Sequence, residues 1–117
     1  MPTIDDFVAA IKAVDVKPGQ YAMLKAHYKA INHTITSTRL AGAAGYKGYQ
    51  AANLWYGKLG KSIGVALGTT PDRTYNDGTP IWTFIIADGW RTGYEDEWEW
   101  EMRPELATAL EILGLVK

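Results

Sequence analysis

The chain has 117 residues, enough for one domain with a core of its own, and its 47% hydrophobic and 21% charged residues disfavour disorder. It has no cysteine, which excludes a disulfide scaffold, a thiol nucleophile and any cysteine-ligated metal. The net charge of −1 hides a segregation: residues 1–16 carry −2, residues 17–67 carry +7 without a single acid, and residues 68–117 carry −6. An acid-free run of 51 residues holding Lys17, Lys25, Lys29, Arg39, Lys47, Lys58 and Lys61 predicts one electropositive face, the plainer alternative being solvation of exposed helices.

The start of the chain has no basic region followed by an apolar run, and no apolar stretch approaches the roughly 20 residues that span a bilayer; neither a signal peptide nor a membrane contact is expected, and the expected location is cytoplasmic. Thr3 can cap a first helix, with Asp6 completing a capping box. Ile4, Phe7, Val8, Ile11 and Val14 follow at helical spacing. Lys17-Pro18-Gly19 reads as a turn, and a second helix over about 19–31 would bury Tyr21, Leu24, Tyr28 and Ile31. Asn32-His33 closes it and Thr34-Ile35-Thr36 is extended. Thr36 or Ser37 then caps a short helix to Ala44, with Leu40 and Ala43 or Ala44 inward and Gly45 ending it.

Tyr46-Lys47-Gly48-Tyr49 reads as a tight aromatic turn before a longer helix over about 49–67. With Leu59 at the centre of the buried face, Ala52, Trp55, Tyr56, Ile63 and Ala66 fall beside it; Gln50, Asn53, Gly57, Lys61 and Gly64 fall opposite, flanked by Lys58. Residues 68–80 read as loop, Ile81–Ala87 as a buried strand, and Asp88-Gly89 as the start of a connection. Glu97–Met102 alternates strictly, with Trp98, Trp100 and Met102 on one face and three glutamates on the other. Pro104 opens a last helix with Leu106, Ala109, Leu110 and Leu113 inward, and Gly114 ends it.

A short helix, a tight turn, a longer helix and a hairpin occur in the order of a winged helix-turn-helix, so the expected fold is α+β of that kind: about five helices with a hairpin or three-stranded sheet, in a single domain over 1–117. Residues 81–102 would form the wing. The expected nucleic-acid-binding residues are Arg39, Tyr46, Lys47, Tyr49, Gln50, Asn53, Lys58 and Lys61. Gln50 and Asn53 can pair bidentately with adenine, and the cations can neutralise phosphates. Tyr46 and Tyr49 can stack on a base or brace the turn. Gly57 and Gly64 each cost a helix about 1 kcal/mol against alanine, so they need a reason: close approach of a nucleic-acid backbone or tight helix packing.

Catalysis finds little support. His27 and His33 are six apart, with no metal-ligand spacing; a partly buried histidine and a helix-end cation account for them. Pro71-Asp72 with Glu97-Trp98-Glu99 lacks the lysine that a metal-dependent nuclease core needs, and Gly42–Gly45 is a helix end rather than a phosphate cradle. No cofactor, metal or catalytic residue is expected. DNA mimicry by the acidic half is disfavoured by the bases that interrupt it.

The pattern Gly45-Tyr46-Lys47, Tyr49, Ala51, Asn53-Leu54, Tyr56-Gly57, Leu59-Gly60, with Trp98–Ala107 and Leu113-Gly114, resembles the accessory region upstream of the nuclease domain in predicted bacterial HNH restriction endonucleases, over residues 20–116. The resemblance implies a non-catalytic module that positions a nuclease on DNA, plain or modified; the histidine–asparagine–histidine nuclease is not in this chain. The expected function is therefore DNA binding through Tyr46–Lys61. The alternative is a protein-interaction module, such as a phage- or mobile-element-encoded inhibitor of a bacterial restriction or CRISPR complex. The sequence leaves oligomeric state open.

Overall fold

The computed structural model describes residues 2–92 and 97–117: five α-helices and a three-stranded antiparallel sheet, an α+β arrangement. Helix α1 (Ile4–Ala13) begins with the predicted capping box, in which Thr3 Oγ1 accepts from Asp6 N at 3.1 Å while Asp6 Oδ2 accepts from Thr3 N at 2.8 Å. It buries Phe7, Ala10 and Ile11 against α4 and α5.

Helix α2 (Pro18–Lys29) starts at the proline itself, which suits the first helical position because its missing N–H has no partner there. Its buried face differs from the expected aromatic stripe. Gln20, Met23, Leu24 and His27 face the core, Tyr21 and Tyr28 are half-buried, and Ile31 is 87% exposed. Two polar residues with internal partners displace the aromatics from the interior. A 3-10 turn (Ile31–His33) follows, with Asn32 and His33 both left-handed at φ 56° and 53°.

Strand β1 (Thr34–Thr36) leads into α3 (Ser37–Ala44), capped by Thr36 Oγ1, which accepts from Arg39 N at 3.2 Å. Ser37, Leu40 and Ala41 are buried, whereas Ala43 is exposed. Helix α4 (Tyr49–Leu67) is the longest element and ends at Gly68, left-handed at φ 73°.

The segment Ile81–Ala87 corrects the expected strand. Trp82–Ile85 is a 3-10 segment packed along α4, and strand β2 runs from Ala87 to Arg91, through the Asp88-Gly89 pair expected to be a connection. A run buried on every side has no periodicity to distinguish strand from helix. Asp88-Gly89 pairs because Gly89 lies opposite Trp100, whose ring occupies the space a Cβ would need. Strand β3 (Trp98–Met102) is central in the order β1-β3-β2, with Ile35 and Gly89 both registered on Trp100. The expected alternation holds: Trp100 and Met102 are buried and Glu101 is exposed. Within the span 81–102 expected to form a wing, the strands are β2 and β3, paired antiparallel from Ala87↔Met102 to Arg91↔Trp98; residues 93–96 lie outside the described residues.

Helix α5 (Pro104–Ile112) seals the core with Leu106, Ala109 and Leu110 and ends at Gly114, φ 72°. No helix among the described residues is long and apolar enough to cross a membrane.

Candidate nucleic-acid interface

The turn between α3 and α4 is fixed by its backbone. Gly45 is left-handed at φ 77°, Gly45 N donates to Gly42 O at 3.2 Å and Tyr46 N to Ala41 O at 2.9 Å, which satisfies the last carbonyls of α3. Tyr46 is half-buried, its ring over Gly19 in the first turn of α2, where any Cβ would collide with the phenol. Tyr46 therefore braces α3 against α2. Lys47 is exposed, Tyr49 is half-buried at the first position of α4, and Gln50 is exposed.

Along α4 the buried residues are Ala52, Tyr56, Leu59, Gly60, Ile63 and Gly64. At about 100° per residue their arc is centred near Tyr56 rather than Leu59, a rotation of roughly 60° from the sequence expectation. Ala66 consequently faces solvent and Trp55 is half-buried under Lys58, whose Nζ stands 4.6 Å from the ring centroid. The glycine edge is covered. A Cβ at Gly60 would lie 2.7 Å from the Trp82 carbonyl carbon, one at Gly64 2.8 Å from the Trp82 ring, and one at Gly57 3.7 Å from Thr83 Oγ1. Gly57 and Gly64 thus face the 3-10 segment. The solvent arc instead carries Gln50, Leu54, Lys58, Lys61 and Val65, with Leu54 and Val65 55% and 67% exposed.

Asn53 falls about 60° from Tyr56, on the side of the buried arc that turns towards Gln50, and is half-buried. Trp100 Nε1 donates to Ser37 Oγ at 3.1 Å, and Ser37 Oγ donates to Asn53 Oδ1 at 2.8 Å. This relay ties β3 to α3 and α3 to α4. Its carbonyl oxygen is therefore engaged inside the protein, so Asn53 does not stand as the open bidentate group that the sequence suggested.

A second polar hub lies deeper. His27, fully buried rather than partly so, accepts at Nδ1 from Tyr56 Oη at 2.8 Å and donates from Nε2 to the Trp100 carbonyl at 3.0 Å. Trp100 O needs a donor and neutral Tyr56 supplies the other proton, which sets the tautomer. Burial holds His27 down to about 4, and pushes the Tyr56 phenol well above its ordinary value. His33 donates from Nδ1 to Tyr28 O at 2.6 Å and stacks on the Tyr28 ring. Among the described residues no group of three or more histidine and carboxylate side chains is placed to hold a metal.

The seven cations of the acid-free run do not share one surface. Lys25 and Lys29 line a groove of about 240 Å³ with Tyr21 and Lys117. Arg39 opens onto a broader groove of about 840 Å³ above the outer sheet face, with Glu99, Glu101, Trp90 and Ile31. Lys17 pairs with Asp15 at 2.6 Å. Lys47 in the turn and Lys58 and Lys61 on α4 remain, all exposed and none in an ion pair among the described residues.

Neither His27 nor Ser37 was legible as a site-shaping residue. The only sequence signal was a polar residue at a position that the shifted face of its helix turns inward. Comparisons with protein-family models, curated proteins and solved structures found no match to this chain.

Proposed function

We propose that the chain is a non-catalytic DNA-binding module of winged helix-turn-helix type, which lays the turn Tyr46–Tyr49 and the solvent arc of α4 on duplex DNA. The observation that carries this reading is the set Lys47, Lys58 and Lys61: three exposed cations without acidic partners, on a turn and helix whose neighbours include no acid in sequence. A cation with no acidic partner is left to attract phosphate, and each phosphate neutralised releases counterions. Gln50, in the first turn of α4, is exposed where a recognition helix meets base edges.

The topology supports the same reading. The order α2, β1, α3, α4, β2, β3, with β1 and β2 on either side of β3, is compatible with a winged helix. The acidic outer face of the sheet, with Glu99 and Glu101, would lie away from the duplex. Arg39 opens onto that face and so is set aside from the interface; Tyr46 braces the turn against α2. The resemblance of residues 20–116 to the accessory region of predicted HNH restriction endonucleases points to the same partner.

Replacing Lys47, Lys58 and Lys61 together by alanine tests the proposal. Duplex binding should weaken at least tenfold at moderate salt, and the slope of log affinity against log salt should fall by about 2.7 if each lysine meets one phosphate. Unchanged affinity would remove the DNA reading. The alternative is a protein partner held by the exposed Trp90 and Ile31. Its binding would be far less sensitive to salt.

A further inference from the structure

We infer that Asn53 is a donor-only reader of the major groove that selects guanine, its amide held in that orientation by Trp100 and Ser37. The inference rests on the DNA-binding reading above and adds which base edge one side chain accepts.

The orientation follows from counting protons. An indole N–H can only donate. Trp100 Nε1 lies 3.1 Å from Ser37 Oγ, so that oxygen is the acceptor and the hydroxyl's own proton is left for Asn53, 2.8 Å away. Ser37 is fully buried, so this proton has no water to turn to. Asn53 meets it with Oδ1. Turned the other way, the amide would present N–H to a hydroxyl already receiving an indole N–H, and a buried O–H would lose its only acceptor, at a cost of roughly 1–3 kcal/mol. The Asn53 amide nitrogen therefore points away from the relay. It makes no hydrogen bond with the described residues, yet no buried side-chain nitrogen or oxygen among them lacks a partner, so this nitrogen reaches solvent.

An asparagine with both ends free fits adenine, accepting from N6 and donating to N7. With Oδ1 turned inward onto the Ser37 hydroxyl, the outward end of Asn53 offers two N–H donors on a fixed plane. The base edge that presents two acceptors side by side is guanine, at N7 and O6; thymine presents one, at O4. Asn53 lies one turn along α4 from Gln50, in the part of the helix that would meet base edges. Preorganisation comes from the hairpin itself, because the Trp100 side chain that starts the relay belongs to β3.

The test is selection of duplexes from a random-sequence library by the wild-type, Asn53→Asp and Ser37→Ala proteins, with thermal unfolding of each measured alongside. Asn53→Asp keeps an oxygen for the Ser37 proton, so the relay persists, but replaces the outward donor by an acceptor. The wild type should prefer guanine about tenfold at one position, the discrimination expected of a good base contact. Asn53→Asp should lose guanine there and take cytosine, whose N4 donates. Ser37→Ala, which frees the amide to turn, should admit adenine beside guanine. Duplexes enriched with a profile that Asn53→Asp leaves unchanged would overturn this inference and leave DNA binding standing. Enrichment of no duplex by the wild type would overturn both.

Discussion

The two long edges of α4 share one backbone and obey opposite rules. On one, Gly57, Gly60 and Gly64 let the chain at Trp82-Thr83 come so close that at Gly60 and Gly64 no side chain could intervene. On the other, Gln50, Leu54, Lys58, Lys61 and Val65 stand in solvent, with apolar area left uncovered. The closed edge couples α4 to the sheet through Tyr56, His27 and Trp100. Among the described residues, the side chains of the open edge have no partner beyond Trp55 under Lys58. The contrast separates what holds the fold from what is available to a ligand, and substitutions on the two edges should separate in the same way.

The largest effect belongs to the hub behind the closed edge. His27 binds a proton near 6.5 when unfolded and near 4 when folded, so between these values the unfolded state holds more protons. Its contribution is fully present above pH 6.5 and is lost as pH falls towards 4, by about 3 kcal/mol in total. Urea midpoints taken from pH 7.5 to 4 should fall across that window. A flat profile would break the picture of a neutral, doubly bonded imidazole.

Gly60→Ala comes next. Its Cβ meets backbone, which cannot rotate aside, so a destabilisation of about 2 kcal/mol is expected despite the better helix propensity of alanine. Gly57→Ala sharpens the comparison because the sign reverses. Its Cβ would make ordinary contact with Thr83 Oγ1 at 3.7 Å, and removing a helix glycine should stabilise by about 0.5–1 kcal/mol. Thermal unfolding of the two variants side by side would show whether the edge is closed at Gly60 and merely narrow at Gly57.

Much of the secondary structure was legible in the residues. The Thr3 box, the glycines after α3 and α5, Pro104 and the tryptophan–glutamate alternation are local signals read within a few residues of themselves, and each appears where expected. The misplaced pieces are those whose partners lie far along the chain. The run at Ile81–Ala87 is apolar throughout, so nothing in it says that α4 takes one side and the sheet the other. The α2 face was misread because Gln20 looks like a surface residue and His27 like a partly buried one until Trp55 O, Tyr56 and Trp100 O, some 29 to 73 positions away, supply their hydrogen bonds. The α4 surface was misread by the same route: an apolar count favoured Leu59, and the glycines that face Trp82 carry no hydropathy to oppose it.

By itself the sequence determined the helix ends, the period of β3, and the absence of acids between Lys17 and Leu67, because capping, alternation and charge depend on neighbours in the chain. Only the tertiary structure decided which cations share a surface and which end of the Asn53 amide is left free. Both depend on what packs across α4, and a buried donor or acceptor takes whichever partner the fold brings within reach.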